Sequence, residues 1–201
     1  MAKASWCSVS PSSGSGSKTV NVSSTSPHTG RTARNTTLTI TAANVDSKTV
    51  AVNQAGKPQF VENTSDTATA VKGGQNVTIS GKSNSSKLTF SLGTGSLAIT
   101  LPSSYTAASL STNNGANISG DPGASAEYDW SIVVAVPANT SVNEISRQVI
   151  VTDAAGNTDV CTITQAAGDS TLTVSKTSID LTWEGTAVSF DITSNASWSI
   201  S

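Results

Sequence analysis

The sequence predicts an all-β chain of tandem β-sandwiches, one of them divided between the two chain ends. Three observations point there. Short runs of Val, Ile, Leu and Thr alternate with polar residues at period two, the pattern of half-buried strands. Clusters of Gly, Asn, Ser and Pro interrupt those runs, as turns between short strands require. Two motifs also recur at one spacing. Gln54-Ala55-Gly56 returns as Gln165-Ala166-Ala167-Gly168, and Ser83-Asn84-Ser85-Ser86 as Ser194-Asn195-Ala196-Ser197, each 111 residues on. A fixed period marks repeated structural units.

The period divides the chain into residues 1–56, the rear part of one module; 57–168, a complete module; and 169–201, the front part of another. Half a β-domain cannot bury its own core or pair its own strand edges. The expectation is that 169–201 completes 1–56, within one chain or between neighbouring chains. That points to an assembly component more than to an enzyme.

In the first part, Lys18–Val22, Thr37–Thr41 and Lys48–Val52 alternate as strands, separated by turn-rich Asn44-Val45-Asp46-Ser47 and preceded by Ser13-Gly14-Ser15-Gly16-Ser17. Residues 55–67 lead into the complete module. There Gln75–Ile79, Lys87–Phe90, Leu97–Thr100, Trp130–Val136, Gln148–Val151 and Val160–Ile163 are predicted strands. The stretch Pro102–Ala126 lacks periodicity and reads as a long irregular loop. In the last part Leu172–Val174, Ile179–Trp183 and Val188–Ile192 are predicted strands, with a turn at Glu184-Gly185.

Composition bounds the function. The chain has 35 serines and 29 threonines but only 4% aromatic and 12% charged residues. With a formal net charge of −2 and many β-branched runs, it departs from the highly charged profile of disorder and implies lean β cores. The balanced charge lacks the Lys/Arg footprint of a nucleic-acid partner. No apolar stretch is long enough to span a bilayer, and Met1-Ala2-Lys3-Ala4-Ser5-Trp6 has no apolar signal region. The expectation is cytoplasmic synthesis with no signal peptide. Cys7 and Cys161 then read as two independent thiols.

No catalytic constellation is apparent, and no cofactor or metal site is expected. His28, in Ser26-Pro27-His28-Thr29-Gly30, reads as a loop histidine. Gly14-Ser15-Gly16 lacks the Gly-Lys-Ser/Thr ending of a phosphate loop. Asp121, Glu127 and Asp129 cluster in sequence, but calcium takes six or more oxygens and no dense acidic loop is present. The four tryptophans are the ligand candidates, since sugars stack on exposed aromatic faces. Trp130 shares strand parity with Ile132, Val134 and Val136, and Trp183 with Ile179 and Leu181, so both are expected to face cores. Trp6 and Trp198 remain as candidate glycan or interface aromatics, expected to meet where the ends complement each other.

The flanks resemble BACON domains, found in Bacteroidetes proteins and in phages that infect them. The residues carrying the resemblance are Ala4-Ser5-Trp6-Cys7-Ser8-Val9-Ser10-Pro11-Ser12-Ser13-Gly14-Ser15-Gly16, Arg34 through Gln54-Ala55-Gly56, and Leu172-Thr173-Val174-Ser175 through Ser197-Trp198. The middle module matches more loosely, keeping Arg147, Gln165–Gly168 and Ser83-Asn84 but neither tryptophan motif. The resemblance implies tandem immunoglobulin-like β-sandwiches and a non-enzymatic role. Crass-like phages carry such domains in head structural proteins, which implies a virion component such as a head fibre or capsid-surface decoration. The implied partners are further copies of the chain, a phage capsid protein, and host or mucin glycans, the last through a carbohydrate-binding role proposed for the family.

Overall fold

The computed structural model describes residues 3–201. Residues 1–56 form two hairpins: β1 (Cys7–Ser10) with β2 (Asn21–Ser24), and β3 (Arg34–Ala42) with β4 (Val45–Gln54). The middle module carries β5 (Val61–Asn63), β6 (Thr67–Ala70), β7 (Gln75–Ser83), β8 (Leu88–Gly95), β9 (Ser104–Ala107), β10 (Leu110–Asn113), a single 3₁₀ turn at Pro122–Ala124, β11 (Tyr128–Val136), β12 (Ile145–Asp153) and β13 (Thr158–Gln165). The last part contributes β14 (Leu172–Val174) and β15 (Ile192–Ser194). Among the described residues no helix is long and apolar enough to cross a membrane.

The middle module is a closed unit of two sheets, ordered β10-β9-β11-β7-β5 and β6-β13-β12-β8. Alternation fixes which side chains meet between them. Along β11 Tyr128, Trp130, Ile132, Val134 and Val136 are buried, and Val149 and Val151 of β12 and Cys161 and Ile163 of β13 face them in one cluster. Phe90 sits at its centre, edge-on to Trp130 at 5.4 Å and tilted against Tyr105 at 5.0 Å. With so few aromatics in the chain, this trio supplies much of the core's bulk.

Burial also tunes the module's tyrosines. Tyr128 donates its hydroxyl proton to Ser85 O at 2.9 Å, and desolvation holds its pKa well above the usual tyrosine value of 10.0. The folded state therefore keeps a proton that the unfolded chain loses above pH ~10. This contribution is whole below that pH and declines as pH rises past it. Unfolding midpoints should fall between pH 9 and 11, and Tyr128→Phe should flatten the fall.

Three sequence expectations are corrected. Pro102–Ala126 is not an irregular loop, because it holds β9 and β10. Their two-residue turn uses Ala108 and Ser109 at φ 48° and 67°, a conformation usually signalled by Asn-Gly. Leu97–Thr100 is not a full strand: Leu97 N donates to Ser146 O of β12 at 2.9 Å, and Thr100 makes a lone bridge opposite Ala135 of β11. Ile179–Trp183 forms no strand, and Val188–Ile192 contributes only Ile192 to β15.

The reason for the last lies in the repeat. β3 and β4 recur as β12 and β13, with Arg34 opposite Gln54 as Ile145 is opposite Gln165. β14 pairs with β15 as β5 pairs with β7, Leu172 opposite Ser194 matching Val61 opposite Ser83. Residues 178–181 correspond to β6, whose partner in the middle module is β13. Among the described residues no strand of 169–201 pairs with one of 1–56. Segments corresponding to paired strands therefore stay extended but unpaired.

Candidate interface and binding surface

Two inter-module junctions dominate the polar architecture, and one is a copy of the other. In the first, Asn84 is fully buried. Its Oδ1 accepts from Phe60 N at 3.1 Å, and its Nδ2 donates toward the carbonyls of Thr29, Lys57 and Pro58, each at 3.2 Å. Ser83 Oγ donates to Phe60 O at 2.7 Å, and Lys57 N to Gly30 O at 2.8 Å. In the second, Asn195 Oδ1 accepts from Thr171 N at 2.8 Å, and Nδ2 donates to Thr140 O at 3.1 Å and Asp169 O at 2.9 Å. Ser194 Oγ donates to Thr171 O at 2.8 Å and Gly168 N to Ser141 O at 2.7 Å. Every group of the second stands 111 residues from its counterpart in the first, and only the bond to Lys57 O has no equivalent. The Ser-Asn motif that revealed the repeat thus pins residues 57–168 to the segment before it and the segment after it.

The first junction has an additional clamp. Arg31 N donates to Gly123 O and Thr32 N to Ala124 O, both at 3.0 Å. The Arg31 guanidinium reaches Asn84 O at 3.1 Å and pairs with Asp121. Gly30 is required here, since a Cβ would run into the backbone of Ala124 and Ser125. Lys57 pairs with Glu127 at 3.3 Å and Lys82 with Asp129 at 3.1 Å. Asp121, Glu127 and Asp129 are thus each tied to a cation from a neighbouring segment.

The rest of the surface is defined by what it leaves open. On 1–56, Ile40 is 52% and Val50 49% exposed. Their counterparts in the middle module, Val151 and Cys161, are core residues at 2% and 1%. On 169–201 Leu172, Val188 and Phe190 are exposed, while their counterparts Val61, Val77 and Ile79 are buried. Both flanks therefore present sheet faces whose side-chain pattern is that of a core.

The tryptophans divide unequally. Trp130 is 2% exposed and lies in the core, as its parity predicts. Trp183 does not face a core. It sits in a turn, 94% exposed, at the position corresponding to exposed Lys72; strand parity has no meaning outside a strand. Trp198 is about half exposed. Trp6 is partly covered by Arg34, whose guanidinium lies 4.6 Å from the ring centroid and donates to Gln54 Oε1 at 2.9 Å. Trp6 and Trp198 do not meet in this chain, because their segments dock at the two different junctions.

In the middle module Ile145 stands where Arg34 stands in the flank. Gln165, the counterpart of Gln54, is buried with Oε1 unpartnered. It borders a cavity of about 280 Å³ lined also by Leu97, Ala98, Pro137 and Asn139. Cys7 and Cys161 are free and buried, and desolvation pushes the Cys161 thiol's pKa up, aided by Asp66 and Asp159. His28 Nε2 lies 2.7 Å from Thr32 O, within the first junction's loop. Among the described residues no cluster of His, Cys, Asp and Glu is placed to hold a metal. The sequence signalled Asn84 and Asn195 through the repeat, but it missed their role because their partners are mostly backbone carbonyls.

Residues 1–55 match the model of the BACON family, described as "Putative binding domain, N-terminal". The first flank is a BACON-domain match. No curated protein matches the chain. Among solved structures, an endo-fucoidan hydrolase from glycoside hydrolase family 107 is similar at 12% identity and a TM-score of 0.32. The alignment covers 83% of this chain and 22% of the enzyme, and a likeness that loose carries no statement about activity.

Proposed function

We propose that the chain is a non-enzymatic structural and adhesion component whose copies assemble by β-strand complementation through immunoglobulin-like modules. The observation that carries this reading is the pair of open flanks, one BACON-like, whose exposed apolar residues correspond to core residues of the closed middle module. Backbone hydrogen bonds along an added strand supply affinity, and alternate side chains supply register. The BACON resemblance supports a setting on the surface of a Bacteroides-phage virion, as a head fibre or capsid decoration, with a capsid protein as the anchoring partner. Native mass spectrometry over a concentration series tests the assembly. Defined oligomers that grow with concentration are expected, and a monomer at every concentration overturns the reading.

A second reading, a carbohydrate-binding module for mucin-type glycans, is favoured by Trp183, exposed at 94%, together with half-exposed Trp198. A sugar stacking on either ring would quench its fluorescence saturably. Trp183→Ala should remove that quenching if Trp183 is the platform. An unchanged spectrum across a mucin-glycan panel overturns this reading.

A further inference from the structure

We propose that the closed middle module carries a binding site for the guanidinium group of an arginine, in the cavity that Gln165 lines. The site is independent of the assembly reading, since every residue of its wall lies between Ser96 and Gln165, inside the closed module.

The acceptor comes first. Gln165 is fully buried, and its Nε2 donates to Pro137 O at 2.6 Å and to Val71 O at 3.1 Å. Those two bonds fix the orientation of the amide, because turning it over would set Oε1 against two carbonyl oxygens. Oε1 has no donor. A buried acceptor without a partner is costly, and native proteins keep few of them. The other buried polar side chain on the wall, Asn139, is satisfied. Its Oδ1 accepts from Ser141 N at 2.9 Å, and its Nδ2 donates to Asn143 O at 2.8 Å and Ala166 O at 3.0 Å.

The repeat shows what such an acceptor takes. In the first flank the glutamine of the same motif, Gln54, receives Arg34 Nε at 2.9 Å and Ser24 Oγ at 3.2 Å on its Oε1. Arg34 stands opposite Gln54 across its hairpin as Ile145 stands opposite Gln165. The middle module therefore keeps the glutamine and the strand pairing, with an aliphatic side chain at the position from which the arginine donates. This pair borders the cavity of about 280 Å³. At about 30 Å³ per water molecule that is space for several waters, enough for a guanidinium and its short aliphatic stem.

The rest of the wall selects the kind of donor. Leu97 and Ile145 line it with Pro137 and Ala98, and none of its residues is charged. A guanidinium is planar and weakly hydrated, so its faces rest on apolar surface while its edge donates hydrogen bonds. In the flank that surface is the Trp6 ring, whose centroid lies 4.6 Å from Arg34 Cζ; in the cavity it is the aliphatic wall. An ammonium is a strongly hydrated point charge, and this wall offers nothing to replace its water.

Solution NMR of the full chain tests the site, with N-acetylarginine amide as ligand and N-acetyllysine amide as its counterpart. The arginine compound should move the methyl signals of Ile145 and Leu97 and the side-chain amide of Gln165, saturating below about 20 mM. It should bind at least about ten-fold more tightly than the lysine compound. Intermolecular NOEs from its methylenes to the Ile145 and Leu97 methyls should place it in the cavity with no residue changed. Ile145→Arg supplies the donor from within, as Arg34 does in the flank, and should weaken binding by about ten-fold or more. Ile145→Val should leave binding within about three-fold. Free arginine separates the two sources of the group. Binding of the capped compound at least as tight as that of the free amino acid assigns the site to an arginine of a protein partner, and tighter binding of the free amino acid assigns it to a small molecule. No saturable shift, NOEs that place the ligand elsewhere, equal affinity for the lysine compound, or binding untouched by Ile145→Arg in a folded variant each overturns the proposal.

Discussion

Asn84→Ala should destabilise the chain by about 2–4 kcal/mol and release residues 1–56 from the middle module. The estimate follows from what the side chain leaves behind. Phe60 N loses its acceptor, and the carbonyls of Thr29, Lys57 and Pro58 lose a shared donor. A buried polar group stripped of its partner costs about 1–3 kcal/mol, and Asn84 is 0% exposed. Asn84→Asp should be at least as damaging. It keeps the acceptor for Phe60 N but turns a carboxylate oxygen toward carbonyl oxygens. Urea unfolding followed by tryptophan emission measures the loss, and limited proteolysis within Thr29–Thr32 measures the release. If either variant matched the parent in both assays, the asparagine would not be the pin.

Asn195 provides the control within the same molecule. It makes the same kinds of bonds at the second junction, yet its surroundings are open to solvent, so water can replace what is lost. Asn195→Ala should therefore cost well under the Asn84 figure in a dilute monomer, about 1 kcal/mol or less.

The sequence made the repeat and the core strands legible because both write themselves in side chains. β7, β8, β11, β12 and β13 alternate cleanly, and Trp130 falls on the buried parity. β9 and β10 were not legible, since their turn relies on Ala108 and Ser109 in the left-handed region, where neither residue advertises a turn. β5 and β6 have 3 and 4 residues, too short for a period to register, and they are held by neighbours far along the chain. Ile179–Trp183 failed for another reason. Its apolar pattern is that of a strand, but among the described residues no strand pairs with it, and an alternating pattern alone does not make a strand. The junctions were half legible: the repeated Ser-Asn was visible, whereas the carbonyls that give it meaning belong to residues of no distinctive type.

Trp130→Ala should be the most costly single change, about 3–5 kcal/mol, enough to unfold a domain of ordinary marginal stability. Trp130 is 2% exposed, packs edge-on against Phe90, and covers Gly81, where a Cβ would come within 2.6 Å of the indole. Collapse around the missing ring is hindered because β7 and β11 are hydrogen-bonded along nine residue pairs, from Tyr128–Ser83 to Val136–Gln75. Trp130→Phe should cost far less. It keeps an aromatic against Phe90 and removes the indole N–H, a buried donor with no hydrogen-bond partner, so part of the lost packing is offset by relief of that penalty. Differential scanning calorimetry separates the two. Equal losses for Phe and Ala would mean that the indole N–H has a partner worth keeping.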